Sequence, residues 1–232
     1  METGSIPIPT TSVLSISFWQ YYFDVTTDLV KERVIYSLNP RKAVLAQSFS
    51  LQSPDLYGPF WISITFLLVS SILAQIWKWR HVKEDTHSFD PFLIFRSYVC
   101  YLLIPLLTSV VFAALFFLGK RTVSNTSSSQ PIPSLVNSTL IFLAYFGYTT
   151  LCYLIPSLLT LFNSSQLNGI SFILATFFSS IVFMMNTKSF FSTIFAKKLY
   201  SLLAQLIAFL GRIAMSVGII SFLFQLPPKL KK

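Results

Sequence analysis

From Leu56 to Trp77 the chain runs for 22 residues without a charge, directly after a polar junction, Ser53-Pro-Asp-Leu-Tyr-Gly-Pro-Phe-Trp61. A helix of about 20 residues crosses roughly 30 Å of hydrocarbon, and backbone groups in lipid must pair internally, so such a stretch predicts a membrane-spanning helix. Three more uncharged stretches of span length follow, and a fifth is interrupted only by Arg212. Composition agrees: 53% of the residues are hydrophobic and 11% charged, whereas soluble domains carry about 25% charged residues. The pattern predicts an all-α polytopic membrane protein. Its expected parts are a cytosolic N-terminal segment (1–55), a five-span membrane domain (56–226) and a basic lumenal tail (227–232).

The spans are expected at about 57–77, 97–119, 135–162, 169–187 and 199–226. Tyr57 and Trp61 at one end of the first span, with Trp77 and Trp79 at the other, fit aromatic interface belts. Pro105 is expected to kink the second span. The Ser-, Thr-, Asn- and Pro-rich run 124–134 reads as a loop, and the short break at 163–168 makes spans three and four a hairpin. Before the first span, Phe18 to Leu38 reads as an amphipathic stretch. Its helical part puts Val30, Val34, Ile35 and Leu38 on one face, and Asn39-Pro40 should end it. Such a helix rests on the bilayer or packs beneath the bundle.

All eight acidic residues lie in the first 90 positions, against 17 Lys and Arg, for a net charge of +9. Membrane loops collect Lys and Arg through translocation rules, so the basic balance is no sign of a nucleic-acid partner. Nine basic residues against six or seven on the opposite side favour a cytosolic N-terminus. With that orientation, the sequons at Asn125 and Asn137 flank a cytosolic loop and the one at Asn163 sits in a tight lumenal turn. Sugar on Asn125 would invert the topology. Met1 to Ser12 lacks the basic start of a cleavable signal, so the first span is expected to act as its own insertion signal.

Groups able to carry catalysis are sparse. His81 and His87 lie beside Glu84, Asp85 and Asp90 in the first loop, but their spacing puts the imidazoles on different helical faces, and a solvated loop is the expected state. No metal or cofactor is expected. The spans contain no His, Asp or Glu, which argues against an intramembrane enzyme and against ion-coupled transport. Cys100 and Cys152 lie within apolar runs and read as small buried hydrophobes. Arg212 must face other helices, water or headgroups. It either pairs with carbonyls and serines or binds an anionic lipid or partner. Around it, Ala204, Ala208, Gly211, Ala214 and Gly218 form a small-residue face suited to close helix packing, within the bundle or with a partner. At the junction, Asp55 can cap the first span, Pro59 fits the first turn, and Gly58 permits a close neighbour.

Phe18-Trp-Gln-Tyr-Tyr-Phe-Asp-Val25 precedes, by about thirty residues, the segment Ser53 to Trp61 at the mouth of the first of five spans. Together with Tyr145-Phe-Gly-Tyr148, Tyr153-Leu-Ile-Pro-Ser157 and Met215-Ser-Val-Gly218, this resembles the YIP domain family of Rab-GTPase-interacting Golgi membrane proteins, in the branch that carries Asp-Leu-Tyr-Gly-Pro-Phe-Trp. The resemblance covers about residues 18–225. It implies a cytosolic N-terminus, a lumenal C-terminus, residence in the Golgi, endoplasmic reticulum or transport vesicles, and a non-enzymatic role in vesicle-mediated transport. Implied partners are prenylated Rab GTPases and other YIP-family proteins, alongside the lipid bilayer itself. Motif and candidate interaction residues are Asp55, Leu56, Tyr57, Gly58, Pro59, Gly147, Tyr148, Pro156 and Arg212. One expected mechanism is an apolar groove for the prenyl chain, rimmed by Arg41, Lys42, Lys120, Arg121, Lys197 and Lys198. A channel or transporter accessory subunit is the alternative from a different class.

Overall fold

The computed structural model describes residues 14–39, 54–81, 91–120, 134–159 and 165–223. Two short helices, α1 (Ile16–Phe23) and α2 (Thr27–Ser37), precede the bundle. The spans follow: α3 (Tyr57–His81); α4 (Pro91–Tyr98), which continues through a π-turn into α5 (Ile104–Gly119); α6 (Leu135–Thr149), which continues through a 3-10 turn into α7 (Leu154–Leu159); α8 (Ser165–Ile194); and α9 (Lys198–Leu223). Five of these stretches are long and apolar enough to cross a membrane: 57–76, 94–119, 135–159, 169–188 and 198–221. The fold is therefore the expected all-α, five-helix membrane bundle, and no strand occurs among the described residues.

Two prolines explain the two irregular turns. Pro105 has no N–H to return to the carbonyl four residues earlier, and the mismatch is absorbed just upstream, where Val99–Leu103 forms a π-turn and the Ile104 N–H reaches back to the Val99 carbonyl. Pro156 likewise follows a 3-10 turn at Thr150–Tyr153. Hydroxyls recover backbone acceptors along the way: Thr108 and Ser109 both donate to the Pro105 carbonyl at 2.8 Å.

The third span is the centre of the molecule. Along α6, Ile141, Phe142, Ala144, Tyr145, Phe146, Gly147 and Tyr148 are all buried, while helices α3, α5 and α8 pack around it with lipid-type side chains outward. Phe142 stacks on Phe112 of α5 at 4.4 Å and meets Phe183 of α8 edge-on at 5.6 Å. Such offset and edge-to-face pairs contribute about 0.5–1.5 kcal/mol each beyond their buried area. The small-residue face of α9 is spent inside the bundle. Ala204 and Ala208 are fully buried, Gly211 abuts Thr108, and Gly218 abuts Cys100, both on the second span. Close backbone approach of this kind supplies packing where lipid removes the hydrophobic drive. Ala214, by contrast, points outward.

The amphipathic N-terminal stretch differs from its expected form. It breaks at Asp24–Thr26 into two helices. The face of α2 that turns inward carries Arg33 and Ser37 with Val34 half-buried against the core, as expected, whereas Ile35 and Leu38 are exposed. A buried charge claims that face because its counterion lies in the bundle, and apolar periodicity cannot register an ion pair. Asn125, Asn163, His87, Glu84, Asp85, Asp90, Arg41, Lys42, Arg121 and the tail 227–232 lie outside the described residues.

Candidate functional site

The site begins with the start of α3. Residues 54–56 precede the helix, and the Asp55 carboxylate turns back to accept the Gly58 N–H at 3.0 Å, the cap that the sequence foretells. The same carboxylate accepts the Tyr148 hydroxyl, at 2.9 Å to Oδ1 and 3.0 Å to Oδ2. Arg33 Nη1 completes the set with an ion pair to Oδ2. Both side chains are fully buried. Asp55 is thereby held by a helix N-terminus, a guanidinium and a phenol drawn from three separate parts of the chain. A charge so placed keeps its counterion, since an isolated buried ion costs several kcal/mol.

Close packing seals the junction. A methyl group on Gly58 would run into the Tyr148 hydroxyl and ring, and one on Gly147 would meet Pro59 Cβ at 2.5 Å. These two glycines let α3 and α6 touch backbone to side chain at the motif itself. Leu56 is buried, and its N–H donates to the Tyr22 carbonyl of α1 at 2.9 Å. Phe18, Tyr22, Leu56 and Leu140 form one apolar cluster, and Phe23 meets Phe60 edge-on at 5.9 Å. Burial, with a smaller contribution from Tyr21, pushes the Tyr22 phenol above its ordinary range. Tyr57 and Trp61 face outward from the same turn.

Six of the nine motif residues therefore converge: Asp55, Leu56, Gly58, Pro59, Gly147 and Tyr148. Tyr57 stands on the outer edge of the cluster. Pro156 and Arg212 do not join it. Pro156 is buried in α7. Arg212 occupies a second polar centre on the neighbouring face of α6, where its Nε donates to Ser179 Oγ at 2.7 Å and its Nη2 to Thr149 Oγ1. Its guanidinium lies between the rings of Phe146 and Phe183, at 4.7 and 4.6 Å from their centroids. Of the two expectations for Arg212, hydroxyl partners inside the bundle are what the described residues provide. A hydroxyl chain continues along the interior from Ser216 to Tyr153, with Thr176 beside both.

Arg33 is the residue that sequence reasoning passed over, and Thr149 and Ser179 are two more. The signal for Arg33 was present: an acid destined for the start of a buried helix needs a cation, and Arg33 is one of few upstream. At the opposite end of α5, Lys120 bridges to Phe195, and Lys197 and Lys198 follow immediately, so three of the expected basic-rim residues gather at one end of the bundle. A separate depression on α2 is walled by Asp28, Lys31, Glu32, Ile35 and Tyr36.

No protein-family model matches the chain. No solved structure matches it either.

Proposed function

We propose that this protein is a non-enzymatic membrane adaptor in vesicle-mediated transport at the Golgi and early secretory membranes, docking prenylated Rab GTPases and YIP-family partner proteins. The observation that carries this reading is the convergence at the junction. Residues far apart in the chain that carry the family resemblance, Asp55 to Pro59 on one side and Gly147 and Tyr148 on the other, pack on one another around a single buried carboxylate. A motif of that kind builds one specific structure, and the resemblance extends to the segment Phe18–Val25, whose Tyr22 and Phe23 pack onto the same junction. In this reading the N-terminus is cytosolic, and the basic end carrying Lys120, Lys197 and Lys198 faces the cytosol, where acidic GTPase surfaces and anionic lipids lie.

The test is affinity capture from purified components. Full-length protein in nanodiscs is expected to retain a prenylated Rab GTPase and to release the same GTPase without its lipid; equal capture of both forms refutes prenyl-dependent docking. Glycosylation mapping reads the orientation, with Asn125 expected unmodified. Solute or ion flux through proteoliposomes would replace the adaptor by a channel subunit.

A further inference from the structure

The first span starts at a different level from its neighbours. Gly119 at the end of α5 and Ala196 after α8 are joined by a 3.3 Å backbone hydrogen bond, which fixes one end of the bundle. Leu135 at the start of α6 lies level with them, because Phe142, seven residues into α6, stacks on Phe112, seven residues before Gly119. At that end Phe117 and Leu118 are 67% and 72% exposed, an apolar surface that belongs in acyl chains. The start of α3 lies well below that end. Its Gly58 and Pro59 lie against Tyr148 and Gly147, which are 13 and 12 residues beyond Leu135, or about 20 Å along the helix axis. The helix start itself, one to two residues before them, is offset by about 15 Å, comparable with the thickness of one hydrocarbon leaflet, roughly 15 Å.

Charged side chains stand beside this displaced junction, among exposed apolar ones such as Ile16, Ile35 and Leu38. Asp24 is exposed, and it directly follows Phe23 on Phe60 and lies two residues after Tyr22, whose carbonyl holds the Leu56 N–H. It therefore shares the level of the first turn of α3. Asp28, Lys31 and Glu32 on α2 are exposed as well, while Arg33 from the middle of that helix reaches Asp55. Trp19, Tyr57 and Trp61 ring the same region with exposed aromatic faces, side chains that favour the headgroup level.

We infer that the apolar belt of this protein is stepped, so that on the α1–α2 side lipid headgroups and water descend to the junction while on the α5 side acyl chains reach Leu118. The occupant of the notch is the headgroup layer. Ionised Asp24, Asp28, Lys31 and Glu32 demand hydration, and their mixed signs select no single anionic ligand. One leaflet is thereby thinned on one flank of the bundle, and the adaptor deforms the membrane as well as recruiting to it. The inference depends on the levels of these residues and stands whether or not a GTPase docks.

Single spin labels in a background with Cys100→Ala and Cys152→Ala test it in vesicles, with a water-soluble nickel chelate and oxygen as relaxation agents. A label at Asp24→Cys or Glu32→Cys is expected to favour the nickel chelate, and one at Leu118→Cys to favour oxygen, at least tenfold apart in relative accessibility. Oxygen preference at Asp24, or nickel preference at Leu118, overturns the step. A label pair at Asp24→Cys and Trp61→Cys checks that α1 stays docked: a narrow distance distribution is expected, and a broad one, meaning that the N-terminal helices detach, overturns the inference equally. All four positions are exposed, so labelling leaves the packing intact.

Discussion

Neutralising Asp55 should unfold the junction unless Arg33 is neutralised with it. In Asp55→Asn the side-chain oxygen can still accept the Gly58 N–H, so the cap survives, but Arg33 is left as a buried cation facing an amide. Breaking a buried pair from one side costs about 3–5 kcal/mol, and Arg33→Met strands the carboxylate at similar cost. In a chain of this size about 2–4 °C of melting temperature accompanies each kcal/mol, giving a loss of roughly 6–20 °C for either single variant. The double variant Arg33→Met/Asp55→Asn holds neither charge. It should melt within about 2 kcal/mol of the parent, because apolar or neutral replacements of whole buried pairs are often tolerated. The assay is tryptophan-monitored thermal unfolding in detergent, with monodispersity checked by gel filtration. If the two single losses add to within about 0.5 kcal/mol in the double variant, the residues are uncoupled and the ion pair does not hold the N-terminal helices to the bundle.

Gly211→Ala would press a methyl group into Thr108 Cγ2, while removal of that methyl leaves the next neighbours at 3.3 Å or beyond. The single variant should lose about 1–3 kcal/mol and Thr108→Ser should restore most of it; Gly169→Ala, with open space around it, is the matched control expected to melt with the parent. Arg212→Met should keep the fold in the same melting assay, since Ser179 and Thr149 still donate to the Thr149 and Tyr145 carbonyls. Arg212→Lys, which cannot stack between Phe146 and Phe183, should cost about 2 kcal/mol; the reverse order would mean that the charge itself sustains the bundle. Buried Cys100 and Cys152 should resist a maleimide in native detergent micelles and react after unfolding, read by mass shift; rapid native labelling would contradict the packing around Gly218 and α6.

Near the membrane, sequence speaks clearly because each helix must satisfy its own backbone, so uncharged length alone marks a span. The helix ends departed from expectation by a few residues where packing carries a helix past a charge, as in α8, which runs past Lys188 to Ile194 because Phe191 and Ile194 are buried in the core. Asp55 as a cap and Gly58 as a point of close approach were also legible, because both are local demands of a helix start. The small face of α9 is visible as a pattern, and its packing within the bundle is what Ala204, Ala208 and Gly211 show.

What the residues determined unaided was the solvent: enough uninterrupted apolar length for five helices, a junction with its own cap, and too few charges to live in water. Only the tertiary structure decided the partners of the charges, giving Arg33 to Asp55 and Arg212 to a hydroxyl pair between two rings, and only it set the start of the first span about 15 Å out of level with that of the third. Hydrophobic patterning follows from each segment's own sequence, whereas ion pairing and helix stagger depend on groups 22 to 93 positions apart that meet only when the bundle closes.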